Sequence, residues 1–181
     1  SLFEYAALLE DEGIVANVYT ADVTDLTSLD RMVESIYKSM GIPRILVYNA
    51  AVVTRLPPSA LPVDTLVRDF STNVVGALAS VQRVAPDMRQ NGGGTILISS
   101  AGVGVEPGSD WASYSASKAA LRNLAFSMGE ELSHDNIHVA VVTIAGPIVA
   151  GINLDPDRLA GEYWRLYLQK KKDWERELFI L

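Results

Sequence analysis

Three observations predict a parallel α/β fold built on a doubly wound sheet. Short β-branched runs at residues 17–23, 45–50, 95–100 and 139–144 alternate with long amphipathic ones. Each of the first three runs precedes a turn and a helical pattern. The chain has 181 residues, 49% of them hydrophobic, enough for one domain with a filled core.

The run at 17–23 is the first predicted strand, and residues 26–40 form a helix that Gly41 and Pro43 end. The strand at 45–50 comes next. A longer helix begins near Pro62 and carries Val63, Leu66, Phe70, Val74, Leu78, Val81 and Val84 on one face. Pro86 and Gly92-Gly93-Gly94 are expected to close it. After the strand at 95–100, Asp110 is positioned to cap a helix that reaches about Leu132. Its Ala112, Ala116, Ala119 and Ala120 form a small-residue surface suited to packing against another helix. The strand at 139–144 precedes a polar, aromatic-rich segment, 155–181, with a helical pattern to its end. The sequence holds no internal repeat and no low-complexity stretch.

Composition narrows the function. A net charge of −7 and a pI near 4.8 oppose nucleic-acid binding, which relies on Lys and Arg at phosphates. The absence of Cys removes disulfides, thiolate metal sites and thiol nucleophiles, and His134 and His138 lack further ligands at zinc-site spacing. The longest apolar run, 139–150, is short for a bilayer and is interrupted by Gly146-Pro147, and the N-terminus has no signal-peptide character. A soluble cytoplasmic protein without membrane or nucleic-acid partners is expected. The chain starts without an initiator Met, as expected of a fragment of a longer one.

Chemistry concentrates in two places: Ser99-Ser100 at the end of an apolar run, and Tyr114 with Lys118 in a helical one. Residues at i and i+4 share a helix face, with Cβ atoms about 5–6 Å apart. A phenol titrates near pH 10, and a neighbouring cation favours its ionised form, so Lys118 is expected to bring Tyr114 toward acid/base use near neutral pH. Tyr167 and Lys171 form a second such pair, read as a solvated helix face, as is the run Lys170-Lys171-Lys172. Only Tyr114 follows a strand-like run, and parallel α/β folds bind ligands at the carboxyl ends of their strands.

Up to about residue 150 the chain resembles the classical short-chain dehydrogenase/reductase family, through Asp22-Val23, Asn49-Ala50-Ala51, Asn73, Ile98-Ser99-Ser100 and Tyr114-x-x-x-Lys118 in the family's order and near its spacing. The resemblance implies one Rossmann-like NAD(P)-binding domain over 1–181, with 151–181 as a variable substrate-side segment. It implies an oxidoreductase that interconverts a secondary alcohol and a ketone on a small-molecule substrate, with NAD or NADP as cofactor. In that likeness Tyr114 is the acid/base, Ser100 bonds the substrate oxygen, Lys118 lowers the Tyr114 pKa and binds the nicotinamide ribose, and Asn73 holds a water of the proton relay. Asp22 and Val23 lie at the adenine, and Asn49, Ala50 and Ala51 sit beside the cofactor. Family members pair through helices equivalent to 62–90 and 110–132, which implies a homodimer or homotetramer.

Each residue also has a plainer reading. Asp22 can cap a turn with Thr24 and Asp25, Asn49 can be a turn residue, Asn73 an exposed helix position, and the serines a strand end. Three departures from the family keep a second function open, a non-catalytic protein that senses a dinucleotide or holds a partner. The usual Asn-Asn-Ala-Gly is Tyr48-Asn49-Ala50-Ala51, where the extra Cβ narrows the approach to a cofactor. The Pro-Gly turn is replaced by Ile144-Ala145-Gly146-Pro147. No Gly-rich phosphate loop precedes residue 22, so the first strands and that loop are expected to belong to a longer parent chain. Without them the strand at 17–23 is not expected to pair with the one at 45–50, and the sheet is expected to be short of partners.

Overall fold

In the computed structural model, which describes residues 2–181, three of the four β-branched runs become strands. These are β1 (Ile45–Tyr48), β2 (Gly94–Ala101) and β3 (Ile137–Ile144), and β4 (Glu177–Ile180) completes a parallel sheet of order β1-β2-β3-β4. The register sets Ile98 beside Tyr48 and Val141, and Ser100 beside Thr143.

Side chains alternate across the sheet and divide the core in two. Ile96, Ile98, Val139 and Val141 face α4 (Gly76–Gln90) and α5 (Ala112–Leu132), whose Ala77, Val81, Leu121 and Ala125 fill the larger half. Leu97, Ala140 and Val142 face α6 (Pro156–Tyr167) and meet Leu159 and Leu166. Burying each of the larger aliphatic side chains contributes about 1.5–3 kcal/mol.

The crossovers explain an element the sequence pattern hides. From β1 to β2 and from β2 to β3 the chain crosses by helices on one face, the right-handed route of parallel strands. The step from β3 to β4 continues in the same direction but puts α6 on the other face, so its hand is reversed. The expected helical tail therefore stops at Tyr167, and its end is a strand. Four residues in alternation, Glu177 and Phe179 against Leu178 and Ile180, are too few to stand out from a helical period.

Residues 17–23 form no strand. A parallel strand needs a neighbour to satisfy its backbone, and none of the described strands lies beside this segment; Val23 packs against the main core instead. Helix α1 (Leu2–Asp11) precedes it, and α2 (Leu26–Met40) follows, capped by the Asp25 carboxylate on Thr27 N at 2.9 Å and ended at Gly41 with φ 83°.

The long helix is also not as expected. Helix α3 (Val63–Phe70) runs through a π-turn (Ser71–Val75) into α4, and Pro86 lies inside α4, whose buried Ala85 and Met88 hold the turn despite the lost hydrogen bond. The inserted residue of the π-turn aims Asp69 and Asn73 inward, both fully buried, and leaves Val63 exposed and Leu66, Phe70 and Val74 half-buried. At the start of α5 the cap position is Trp111, with no side-chain bond; Asp110 pairs with Arg55 at 3.6 Å. Ala116 and Ala119 are exposed, and Ser113 and Ser117 are the small buried residues facing α3 and the π-turn.

Candidate active site

The alternation of β2 sends its two terminal serines to opposite faces. Ser99 follows Leu97 toward α6, where its Oγ lies 2.6 Å from the Tyr163 hydroxyl. Ser100 follows Ile96 and Ile98 toward α5. Its Oγ is buried and has no hydrogen-bond partner among the described residues. A buried hydroxyl costs about 1–3 kcal/mol when left unpaired, so this one is placed to receive an outside partner.

Tyr114 and Lys118 lie one turn apart on α5, at the same carboxyl end of the sheet. Lys118 is 3% exposed, and its ammonium donates to the Ser99 carbonyl oxygen at 2.8 Å and sits 5.7 Å from the centre of the Tyr114 ring. Burial lowers its pKa to about 8. Burial also raises the Tyr114 phenol above its ordinary value. The expected lowering of Tyr114 by Lys118 is thus absent here: desolvation acts on both groups, and the cation lies over the ring face.

Asn73 is brought to the same region by the π-turn. Its Oδ1 accepts from Val52 N at 2.7 Å, and its Nδ2 donates to Val52 O and Ser117 Oγ, both at 2.9 Å. The amide clamps the loop after β1 onto α5. One turn earlier, Asp69 accepts from Ser113 Oγ at 2.7 Å, so residues 69 and 73 match 113 and 117, each pair four apart. The sequence reading missed Asp69, Ser113 and Tyr163. The matched i, i+4 spacings of the first two were the available signal; Tyr163 had none.

The residues expected at a cofactor are spread around this centre. Asn49, Ala50 and Ala51 are exposed just beyond β1, and Asn49 with Ile148 borders a cavity of about 550 Å³. Ala51 takes no left-handed backbone conformation, so this departure from Gly carries no backbone strain. Asp22 is exposed, and its Oδ1 accepts from Thr24 N at 2.8 Å and Thr24 Oγ1 at 2.7 Å, the turn-closing arrangement. Those bonds hold its carboxyl below the usual range. Val23 is partly buried against the core. The second Tyr/Lys pair is not on one helix face: α6 ends at Tyr167, and Lys171 donates to Ser133 O at 2.8 Å. The unpartnered Ser100 hydroxyl and the buried Lys118 ammonium supply the kind of polar groups that the nicotinamide ribose end of a dinucleotide needs, whereas the cavity at Asn49 lies toward α6, lined by Ile45, Leu159 and Tyr163.

Residues 2–153 match the family model described as short chain dehydrogenase. An oxidoreductase of Sarocladium schorii, asL5, is 32% identical over 123 residues, covering 68% of this chain and 49% of that protein. A sorbitol dehydrogenase of Cereibacter sphaeroides is 31% identical over 164 residues, 90% of this chain and 59% of its own length. The solved structure of an NAD+-bound xylitol dehydrogenase superposes with a TM-score of 0.77 at 27% identity, over 81% of this chain and 57% of that one. The chain spans about half the length of the curated relatives it matches. Among the described residues no helix is long and apolar enough to cross a membrane.

Proposed function

Because the chain belongs to the short-chain dehydrogenase family, we propose that it interconverts a secondary alcohol and a ketone, with NAD or NADP as the redox partner. The observation that carries this reading is the buried, unpartnered Ser100 hydroxyl on the face of β2 that looks to α5, where Tyr114 and Lys118 stand.

When bound, the nicotinamide supplies the hydride for ketone reduction or accepts it in alcohol oxidation. Ser100 donates to the substrate oxygen and fixes its direction. Tyr114 gives that oxygen a proton in reduction and removes it in oxidation. Its raised pKa keeps the phenol protonated at neutral pH, the form that reduction needs. Lys118 bonds the nicotinamide ribose and sets its ammonium over the Tyr114 ring, while burial, the dominant effect, keeps the phenol's pKa raised. With its side-chain amide committed to Val52 and Ser117, Asn73 serves the proton relay by holding the loop after β1 against α5. Asn49, Ala50 and Ala51 border the nicotinamide, and Asp22 and Val23 approach the adenine. The exposed Val63 and Val67 of α3 support pairing of subunits through the long helices, as a homodimer or homotetramer.

The test follows absorbance of the reduced cofactor with a panel of ketones and secondary alcohols. Turnover with at least one member is expected, and Tyr114→Phe is expected to lower it by about 10²- to 10⁴-fold while dinucleotide binding stays within a few-fold. Dinucleotide binding without turnover on any member would assign the protein to sensing or partner binding instead.

A further inference from the structure

Beside Tyr114, the carboxyl ends of β2, β3 and β4 enclose a cavity of about 790 Å³, within the range of sites that hold drug-sized molecules. Its walls come from four separate segments: Val103 after β2, Trp111 before Tyr114, Ile144 and Pro147 after β3, and Phe179 and Leu181 at the end of the chain. The alternation of β4 makes this possible, since Leu178 and Ile180 turn to the α6 core and leave Phe179 on the side of Tyr114. The polar groups of the wall's side chains are the Tyr114 phenol, the Glu106 carboxylate and the Trp111 indole N–H, and among the described residues no Lys or Arg lines it. Arg55 lies 5.3 Å from the centre of the Trp111 ring, but it does not line the cavity and it pairs with Asp110.

This chemistry discriminates between substrates. An open-chain polyol brings several hydroxyls, and each one left against an apolar wall loses its bonds to water without replacement. A hydroxy or keto acid brings a carboxylate beside Glu106, with no cation on the wall to pair with it. A fused-ring or other bulky cyclic ketone needs one polar contact, at its carbonyl, and the Tyr114 hydroxyl stands at that wall. We infer that the substrate is a neutral, bulky, cyclic secondary alcohol or its ketone, held by the apolar wall from Trp111 to Phe179 with its oxygen at Tyr114. This inference rests on the oxidoreductase reading for the reaction and on the cavity for the ligand class.

The test uses α-tetralone as the neutral bicyclic probe, D-fructose as the polyol-type ketone and acetoacetate as the anionic one. The kcat/KM for α-tetralone is expected to exceed those for the other two by at least about 100-fold. Calorimetric binding of α-tetralone supplies a readout that does not depend on turnover. Phe179→Asp, and separately Leu181→Asp at a more exposed position, are each expected to weaken that binding about 10-fold or more. A preference for fructose or acetoacetate, with turnover lost in Tyr114→Phe, would overturn the substrate class and leave the oxidoreductase reading standing. Binding of α-tetralone that depends on Phe179 and Leu181, without turnover of any carbonyl, would support the ligand class and overturn the oxidoreductase reading. Binding unchanged by both substitutions would overturn the inference.

Discussion

The Tyr48 hydroxyl donates to the Thr72 carbonyl oxygen at 2.5 Å, tying the last residue of β1 to the π-turn that carries Asn73. Burial pushes the Tyr48 phenol up to about 12, so it stays protonated and remains a donor at any physiological pH. Gly76, directly after the π-turn, leaves the space this ring needs: a Cβ there would lie 2.6 Å from the Tyr48 oxygen and 2.9 Å from Val23 Cγ2. The departure from the family's Asn at position 48 is thus matched by a local arrangement that supports the Asn73 clamp.

Tyr48→Phe is expected to destabilise the protein by about 1–3 kcal/mol, the cost of a buried polar group left without its partner, as read by urea denaturation. Gly76→Ala is expected to cost a similar amount by overpacking. In the double variant part of the Gly76→Ala cost should disappear, because the atom struck by the new methyl is gone. Strictly additive effects would show that the two residues do not share this space.

What was legible in the sequence follows from period and order. Strands β1 to β3 showed as β-branched runs, and α2 showed as an amphipathic period with turn residues behind it, because burial of one stripe or of a whole strand leaves that mark. The 17–23 run carries the same mark without being a strand, since pairing depends on a neighbour that local pattern does not report. The buried row Asp69, Asn73 and Ala77 was hidden for a different reason. Two of its members are polar, and the π-turn shifts the inward face away from the apolar positions Val63 and Leu66. Tyr114, Lys118 and Ser100 stood out because their residue types carry chemistry, whereas the Tyr163 bond to Ser99 is a tertiary contact that spans 64 positions.

Asp69 is fully buried, and its second carboxylate oxygen lies 3.5 Å from the Arg68 guanidinium without a hydrogen bond. Asp69→Ala leaves Ser113 Oγ without its acceptor inside the α3–α5 contact, and a loss of about 1–3 kcal/mol is expected by thermal or urea denaturation. Asp69→Asn keeps an oxygen for Ser113 and is expected to be the milder change. Equal losses in the two variants would argue against the Ser113 bond as the cause.

Lys118 opposes stability at neutral pH. Its folded-state pKa of about 8 lies below the ordinary 10.5, so below pH 8 the charged ammonium is held in a site that disfavours it. Between those two values the folded protein releases the proton while the unfolded chain keeps it, and stability rises with pH. Lys118→Met is therefore expected to be more stable than the wild type at pH 7, by on the order of 3 kcal/mol, with the gap closing between pH 8 and 10.5. The same variant should lose turnover. Denaturation curves that show a loss of stability at pH 7 would mean that the bond to the Ser99 carbonyl outweighs the desolvation of the charge.

The adjacent serines give the sharpest contrast, because one residue of strand separates a hydroxyl that already has a partner from one that does not. Ser99→Ala removes the bond to Tyr163 on the α6 face, so a stability loss of about 0.5–1.5 kcal/mol is expected with turnover close to normal. Ser100→Ala removes a hydroxyl with no protein partner, which should leave stability unchanged or slightly raised while turnover falls steeply. Tyr163→Phe should repeat the Ser99→Ala phenotype, since it breaks the same bond from the other side. Paired measurements of unfolding free energy and kcat/KM on the three variants decide the matter: if Ser99→Ala lost turnover and Ser100→Ala kept it, the catalytic face of β2 would be the one toward α6.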